Sequence, residues 1–279
     1  MRWRLPPLSF LIAVAIAACA DSNARDPAML SDAAAGQAGA TDGGVAADTS
    51  GDAPAAADAW QPLLNGVDFT GWDRYLGKPS DTDPPLGIDN DPHGVFSYAT
   101  VDGEAVLRIS GQVWGALISQ QEYCGFHLRG QFKWGTLIWP PLNFLDGGIM
   151  YLSTGPLGAV NAGGDALSDP IGSGAFMVSM EYQLSPGDEG NIYNLGPIAF
   201  QQTADTRTMA IAGAWNQIDI IVQGGAAKHL LNGHEQANGS DFRLNWPGQA
   251  ASDLSCGKLQ LESEGGEIYF RNLELLELP

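Results

Sequence analysis

Side-chain alternation with a period of two dominates this chain from Trp60 onward, and it leaves room for little except antiparallel sheet. The segments "AVLRISG" (105–111), "FHLRGQFKW" (126–134), "GGIMYLS" (147–153), "FMVSMEYQL" (176–184), "WNQIDIIVQG" (215–224), "KHLLNGHEQ" (228–236), "GKLQLES" (257–263) and "EIYFRNLELLEL" (267–278) place β-branched or aromatic residues among polar ones. Gly, Pro and Asn-Gly punctuate them, and no convincing amphipathic helix or internal repeat interrupts the pattern. Asn232-Gly233 suits a tight hairpin turn that needs positive φ angles. Short strands at close spacing predict an all-β sandwich or barrel.

The N-terminus reads differently. Arg2 and Arg4 precede a short apolar run that ends in small residues, the pattern of a signal peptide over residues 1–18. The run is shorter than the roughly 20 residues of a membrane-spanning helix. "IAAC" resembles a bacterial lipobox, so Cys19 is expected to carry a lipid, with ordinary secretion as the alternative. The expected location is the cell envelope, with membrane contact only through that anchor. Residues 19–59 are mostly Ala, Gly, Asp, Ser and Thr, and seven Asp stand against one Arg. Such a segment cannot bury enough apolar surface to offset its ordering entropy, and it reads as a tether. The folded domain is expected over residues 60–279.

A net charge of -19 with 13 Lys plus Arg argues against nucleic acid, which demands a concentrated basic patch. It suits neutral partners or a divalent cation. Cys124 and Cys256 are an even pair in an oxidising compartment, and a disulfide or two separate thiols both remain open.

Six segments, "PLLNGVDFTGWDRYLG", "YCGFHLRGQFKWG", "DGGIMY", "SMEYQL", "WNQIDIIVQGGAAKHLLNG" and "GKLQLESEGGEIYFRNLELLEL", follow one another in an order that resembles the 3-keto-disaccharide hydrolase domain family. The resemblance implies a concanavalin A-like jelly-roll β-sandwich with a concave ligand-binding sheet. It also implies a carbohydrate ligand and cleavage of glycosides oxidised to a ketone at C3, by C2 proton abstraction, elimination and hydration. On such a sheet Glu181 and Gln183 project into the cleft. The same alternation pairs Gln131 with Lys133, Glu262 with Glu264, and Tyr269 with Arg271. Glu181 or Asp146 is the expected base, with Lys133, Arg271 or a divalent cation holding the enolate. Trp134, Trp139 and Tyr151 are candidate sugar platforms, and His93 sits in a long Pro/Asp-rich loop (75–94) that, with the irregular stretch 153–174, is placed to rim the site.

Each residue also has a plainer reading. Glu181 could pair with Lys133 or Arg271 across the sheet, Asp146 could cap a turn, and Glu262 could be an ordinary solvated carboxylate. His229 and His234, flanking the hairpin turn, read as surface residues. Related members tend to have a histidine near the position of Leu152, so a non-catalytic, lectin-like binding module is the alternative function.

Overall fold

The computed structural model describes residues 59–161, 174–205 and 208–279. The expected signal peptide, Cys19 and nearly all of the tether lie outside them, as does most of the irregular stretch after residue 161.

Among the described residues there is no helix. The strands are β1 (Gln61–Pro62), β2 (Trp72–Leu76), β3 (Gly87–Ile88), β4 (Phe96–Val101), β5 (Glu104–Ile109), β6 (Gly115–Tyr123), β7 (Phe126–Ile138), β8 (Gly148–Thr154) and β9 (Val178–Gln183). They continue as β10 (Ile192–Leu195), β11 (Ile198–Asp205), β12 (Asn216–Gln223), β13 (Ala226–Leu231), β14 (His234–Leu244), β15 (Ser252–Asp253), β16 (Gly257–Ser263) and β17 (Gly266–Glu277). All eight alternating segments of the sequence fall on strands.

Two antiparallel sheets result, as a jelly roll requires. One runs β11-β14-β13-β12-β7-β17-β5-β4, with β1 beside β17 and β15 beside β14. The other runs β10-β9-β8-β16-β6-β2-β3. Asn232 (φ 51°) and Gly233 (φ 77°) close the β13–β14 hairpin in the left-handed region, which an Asn-Gly pair reaches at little cost.

The facing surfaces of the two sheets form the core. Leu128, Phe132, Ile218, Ile220 and Phe270 come from the first sheet, and Leu117, Ile149, Met180 and Leu261 from the second, all essentially inaccessible. Burying each such side chain contributes about 1.5–3 kcal/mol. Two tyrosines tie the sheets together: the Tyr182 hydroxyl donates to Leu230 O at 3.0 Å, and Tyr151 Oη lies 3.0 Å from His229 Nε2. His229 is fully buried, so the expectation of a surface histidine is corrected. Its Nδ1 faces the Gly190 carbonyl at 3.0 Å and donates to it, which leaves Nε2 to accept from Tyr151. Burial holds the ring neutral, with its pKa lowered to about 3. Alternation puts His229 on one face of β13 with Ala227 and Leu231, and that face turns into the core, which the residues of the hairpin alone do not reveal.

Cys124 and Cys256 form a disulfide that closes a separation of 132 residues and joins the end of β6 to the start of β16. Loop-closure entropy assigns such a link up to about 5 kcal/mol. Cys256→Ser is expected to lower the melting temperature by about 10 °C, measured beside the intact protein by calorimetry.

Candidate carboxyl site

Strand register assembles the site on the outer face of the β10–β3 sheet. Asp73, Ile118, Gln260, Met150 and Glu181 oppose one another across β2, β6, β16, β8 and β9. The adjoining row holds Tyr75, Ala116, Glu262, Gly148 and Gln183. Directly opposed residues share a face, so Glu181 and Glu262 point to the same side on strands separated only by β8. Gly148 on β8 leaves the space they occupy. A β-carbon there would lie 2.6 Å from both Glu181 Oε1 and Glu262 Oε2.

Sequence reading placed Glu181 in an open cleft, but Glu181 is 5% exposed and Glu262 1%. The floor beside them is equally sealed. Gln260 donates through Nε2 to Ser179 Oγ at 2.7 Å and Ser153 Oγ at 3.0 Å, and accepts from Met177 N at 3.2 Å. Val160 and Phe176, which pair outside the strands, are buried as well.

Asp146 and Glu264 complete the cluster at the ends of their strands and remain half-buried. Asp146 accepts from Gly147 N at 3.1 Å. Leu184 N donates to the Gly147 carbonyl at 2.9 Å, which fixes Asp146 against β9. Glu264 lies in the turn between β16 and β17. The turn closes on Asp146, because a β-carbon on Gly266 would stand 2.8 Å from Asp146 N and O.

Four carboxyl groups thus share one site, and among the described residues none of them forms an ion pair. Burial pushes the Asp146 pKa up to about 6, and the nearby Asp188 charge adds to it. Burial likewise raises Glu181, Glu262 and Glu264 above the ordinary carboxylate range. The charges of Glu181 and Asp146 push Glu262 and Glu264 further up, whereas a side-chain hydrogen bond with Glu262 works against the rise at Glu181. Among the described residues three buried polar atoms have no partner: Glu181 Oε1, Glu262 Oε2 and Trp134 Nε1. Trp134 belongs to the same place, since its ring edge lies 3.7 Å from a β-carbon built on Gly147. Among the described residues no group of three or more His, Cys, Asp or Glu is arranged to hold a metal ion.

A cavity of about 540 Å³ opens beside the cluster, lined in part by Lys78, Gln112, Trp114, Pro140, Asn161 and Ala175. Both long irregular stretches therefore contribute to one opening, as their sequence suggested. Lys78, Gln112 and Trp114 were not singled out from sequence. They stand at strand ends and in loops, where no periodicity marks them, and only the sheet register brings them together. Gln260 was discoverable, because it shares the alternating face of Glu262.

Several expected site residues lie elsewhere. Gln131, Lys133 and Arg271 project from the outer face of the other sheet, because Phe132 and Phe270 beside them turn into the core. There Arg271 donates to Gln131 Oε1 at 2.8 Å and Glu104 Oε2 at 2.7 Å, while Lys133 pairs with Asp102 at 3.3 Å. Stacked sheets stand about 10 Å apart, so none of the three meets Glu181. Tyr151 is a core residue and offers no platform. The Gln183 amide oxygen accepts from Leu184 N at 2.8 Å and Ser185 N at 3.0 Å, closing the turn after β9. Trp139 anchors its loop by donating from Nε1 to Ser110 O at 2.9 Å. His93 is exposed in the turn that Asp91 closes and does not line the cavity.

The model of the family described as the 3-keto-alpha-glucoside-1,2-lyase-like domain matches residues 59–276. The chain belongs to this family. No curated protein sequence matches the chain. Among solved structures, the chain is similar to a protein of Parabacteroides distasonis ATCC 8503 assigned as a glycosyl hydrolase (19% identity, 80% of this chain and 95% of that one, TM-score 0.48). It is also similar to the carbohydrate-binding module CBM66 from Bacillus subtilis (11% identity, 65% and 92%, TM-score 0.40). A third likeness is to a β-glucanase of Bacillus licheniformis (11% identity, 79% and 98%, TM-score 0.40). Membership in the family gives this lyase-like domain a carbohydrate-related function.

Carboxyl groups whose folded pKa values are raised bind protons more tightly in the native state than in the unfolded one. Their contribution to stability is complete below the ordinary carboxylate pKa and is lost as pH rises through the folded values, which for Asp146 means from about 4 to about 6. The melting temperature is expected to fall by about 5 °C between pH 5 and pH 8, and the Glu181→Gln, Glu262→Gln double variant should flatten that slope. Calorimetry across pH checks both.

Proposed function

We propose that the domain cleaves glycosides whose C3 hydroxyl has been oxidised to a ketone. The C3 carbonyl acidifies the C2 proton. A base removes it, the electron pair becomes an enolate, and the enolate expels the anomeric oxygen to leave a C1–C2 double bond. Water then adds at C1 and a proton returns to C2. The family description names a 1,2-lyase, which is elimination across these two carbons.

The observation that carries this reading is a difference in burial among neighbouring carboxyl groups, with Glu181 and Glu262 sealed and Asp146 half-buried. Asp146, at the mouth with a pKa near 6, is ionised at neutral pH yet basic enough to take the C2 proton. Glu181 and Glu262 stay protonated at the bottom, and their two unpartnered oxygens lack the hydrogen-bonding groups that a substrate ketone and hydroxyl supply. A neutral carboxyl that donates to a developing enolate does the work first assigned to Lys133. Glu264, half-buried and with its pKa raised by burial, is placed to protonate the departing oxygen.

Leu152 does not weaken this reading. It sits in the β8 bulge with φ 52°, against Gly257 and four residues from Gly148, roughly 13 Å along the strand. A histidine there is not needed to complete the carboxyl cluster. The disulfide fits an exported protein, and we place the domain at the cell envelope on a lipid at Cys19, joined by residues 19–59.

The test uses matched native and 3-keto disaccharides. Sugar release from the keto forms alone is expected, rising with pH through about 6. Asp146→Asn should cut turnover by about 100-fold or more, while Glu181→Gln, which keeps a donor, should cost less. Saturable binding of the keto forms without turnover in the unmodified domain would make it a binding module.

A further inference from the structure

We propose that the cavity beside the carboxyl cluster receives the leaving group and selects an apolar aglycone in preference to a second sugar. The proposal rests on the reading that these carboxyl groups face the scissile bond.

The cavity is built on the turn that carries Glu264. Ser263 Oγ donates to the carbonyl of the lining residue Val113 at 2.7 Å. The lining residues Pro140 and Pro141 lie between Trp139, whose N–H donates to Gly265 O at 2.8 Å, and Leu142, which packs on Gly265. A group leaving from the carboxyl cluster on that side enters this space. Its volume of about 540 Å³ lies within the range of roughly 300–1,000 Å³ typical of small-molecule sites.

The lining chemistry argues against a sugar. Among the described residues Val113 and Ala175 are buried and Trp114 is half-buried, so the floor presents methyl groups and an indole, while the half-buried amides of Gln112 and Asn161 line the wall beside it. The charged lining residues Lys78 and Asp81 are exposed at the rim. A pyranose pressed to that floor would strip water from hydroxyls without replacing their hydrogen bonds, at a cost of about 1–3 kcal/mol each. An aromatic or alicyclic group instead gains about 25 cal/mol per Å² buried and stacks on the indole. The apolar character continues outward along the end of β7 and the loop leading to Asp146, where Leu137, Ile138 and Phe144 are 40–46% exposed. On the opposite flank the character reverses: the Tyr193 hydroxyl donates to Asp188 and Gln202 donates to Asn191, a polar edge fitted to the oxidised sugar.

Calorimetry should compare 2-phenylethyl glucoside with a 1,6-linked glucose disaccharide, two ligands that differ in the aglycone and both attach through a primary oxygen. The unoxidised forms report binding without turnover. The phenylethyl glycoside is expected to bind about tenfold or more tightly. Trp114→Ala should erase that preference, and so should Pro79→Glu, which puts a charge in the cavity wall from an exposed loop. Equal or tighter binding of the disaccharide, binding of neither ligand, or a preference that survives both substitutions would overturn the proposal. Turnover of the corresponding 3-keto forms reads the reaction separately. Preference without turnover would defeat the reaction and keep the cavity's role, whereas turnover without preference would do the reverse.

Discussion

Four carboxyl groups packed together, with no ion pair to any of them among the described residues, set the terms for the rest of this structure. Removing Glu181 and Glu262 from water as two anions would cost more than packing could return, so the sheet stores them as acids. Each neighbouring feature follows from that storage. Gly148 gives them room, Gln260 and the serines beside it satisfy the floor, and the residues around Val160 and Phe176 exclude solvent. Asp146 is half-buried where Glu181 and Glu262 are sealed, and that difference separates the base from these two acids.

The two outer faces of the sandwich treat charge in opposite ways. On the larger sheet each cation has its anion: Arg129 pairs with Glu274, Arg271 with Glu104, and Lys133 with Asp102. Arg129 and Arg271 also lie over Trp60 and Trp215 at 3.7 and 4.3 Å. Such half-exposed pairs contribute little stability individually, but they leave few unmet demands on that face. On the smaller sheet, among the described residues, the four clustered carboxyl groups have no cation partner and two of their oxygens are unpartnered. A surface that is satisfied and a surface that is not have different uses, and chemistry belongs to the second.

The fold was legible because alternation is local. The strands, the Asn232-Gly233 turn and the greasy face holding Met180 and Tyr182 all follow from neighbouring residues. The site was half legible. Glu181, Glu262 and Asp146 lie together, yet Lys133, Gln131 and Arg271 have the same alternation and belong to the other sheet, as does Trp134, which packs against the core. Period two says which residues share a face of one strand; it does not say which sheet that strand joins. Tyr151 and His229 failed for a related reason, since each carries a polar tip that resembles a surface residue until a partner across the core is known. Lys78 and Trp114 carry no periodic signal and become meaningful only once β2, β6 and β16 are in register.

The most direct test of the central claim is the protonation of the cluster itself. The domain should be labelled with ¹³C at the side-chain carboxyl carbons of Asp and Glu, and each resonance followed from pH 3 to pH 9, with single amide variants for assignment. The account predicts that Asp146 titrates near pH 6 while Glu181, Glu262 and Glu264 still carry protons at neutral pH. Titration of all four groups together near pH 4 would contradict it, because four ionised carboxylates could neither remain packed as they are nor divide the roles of acid and base.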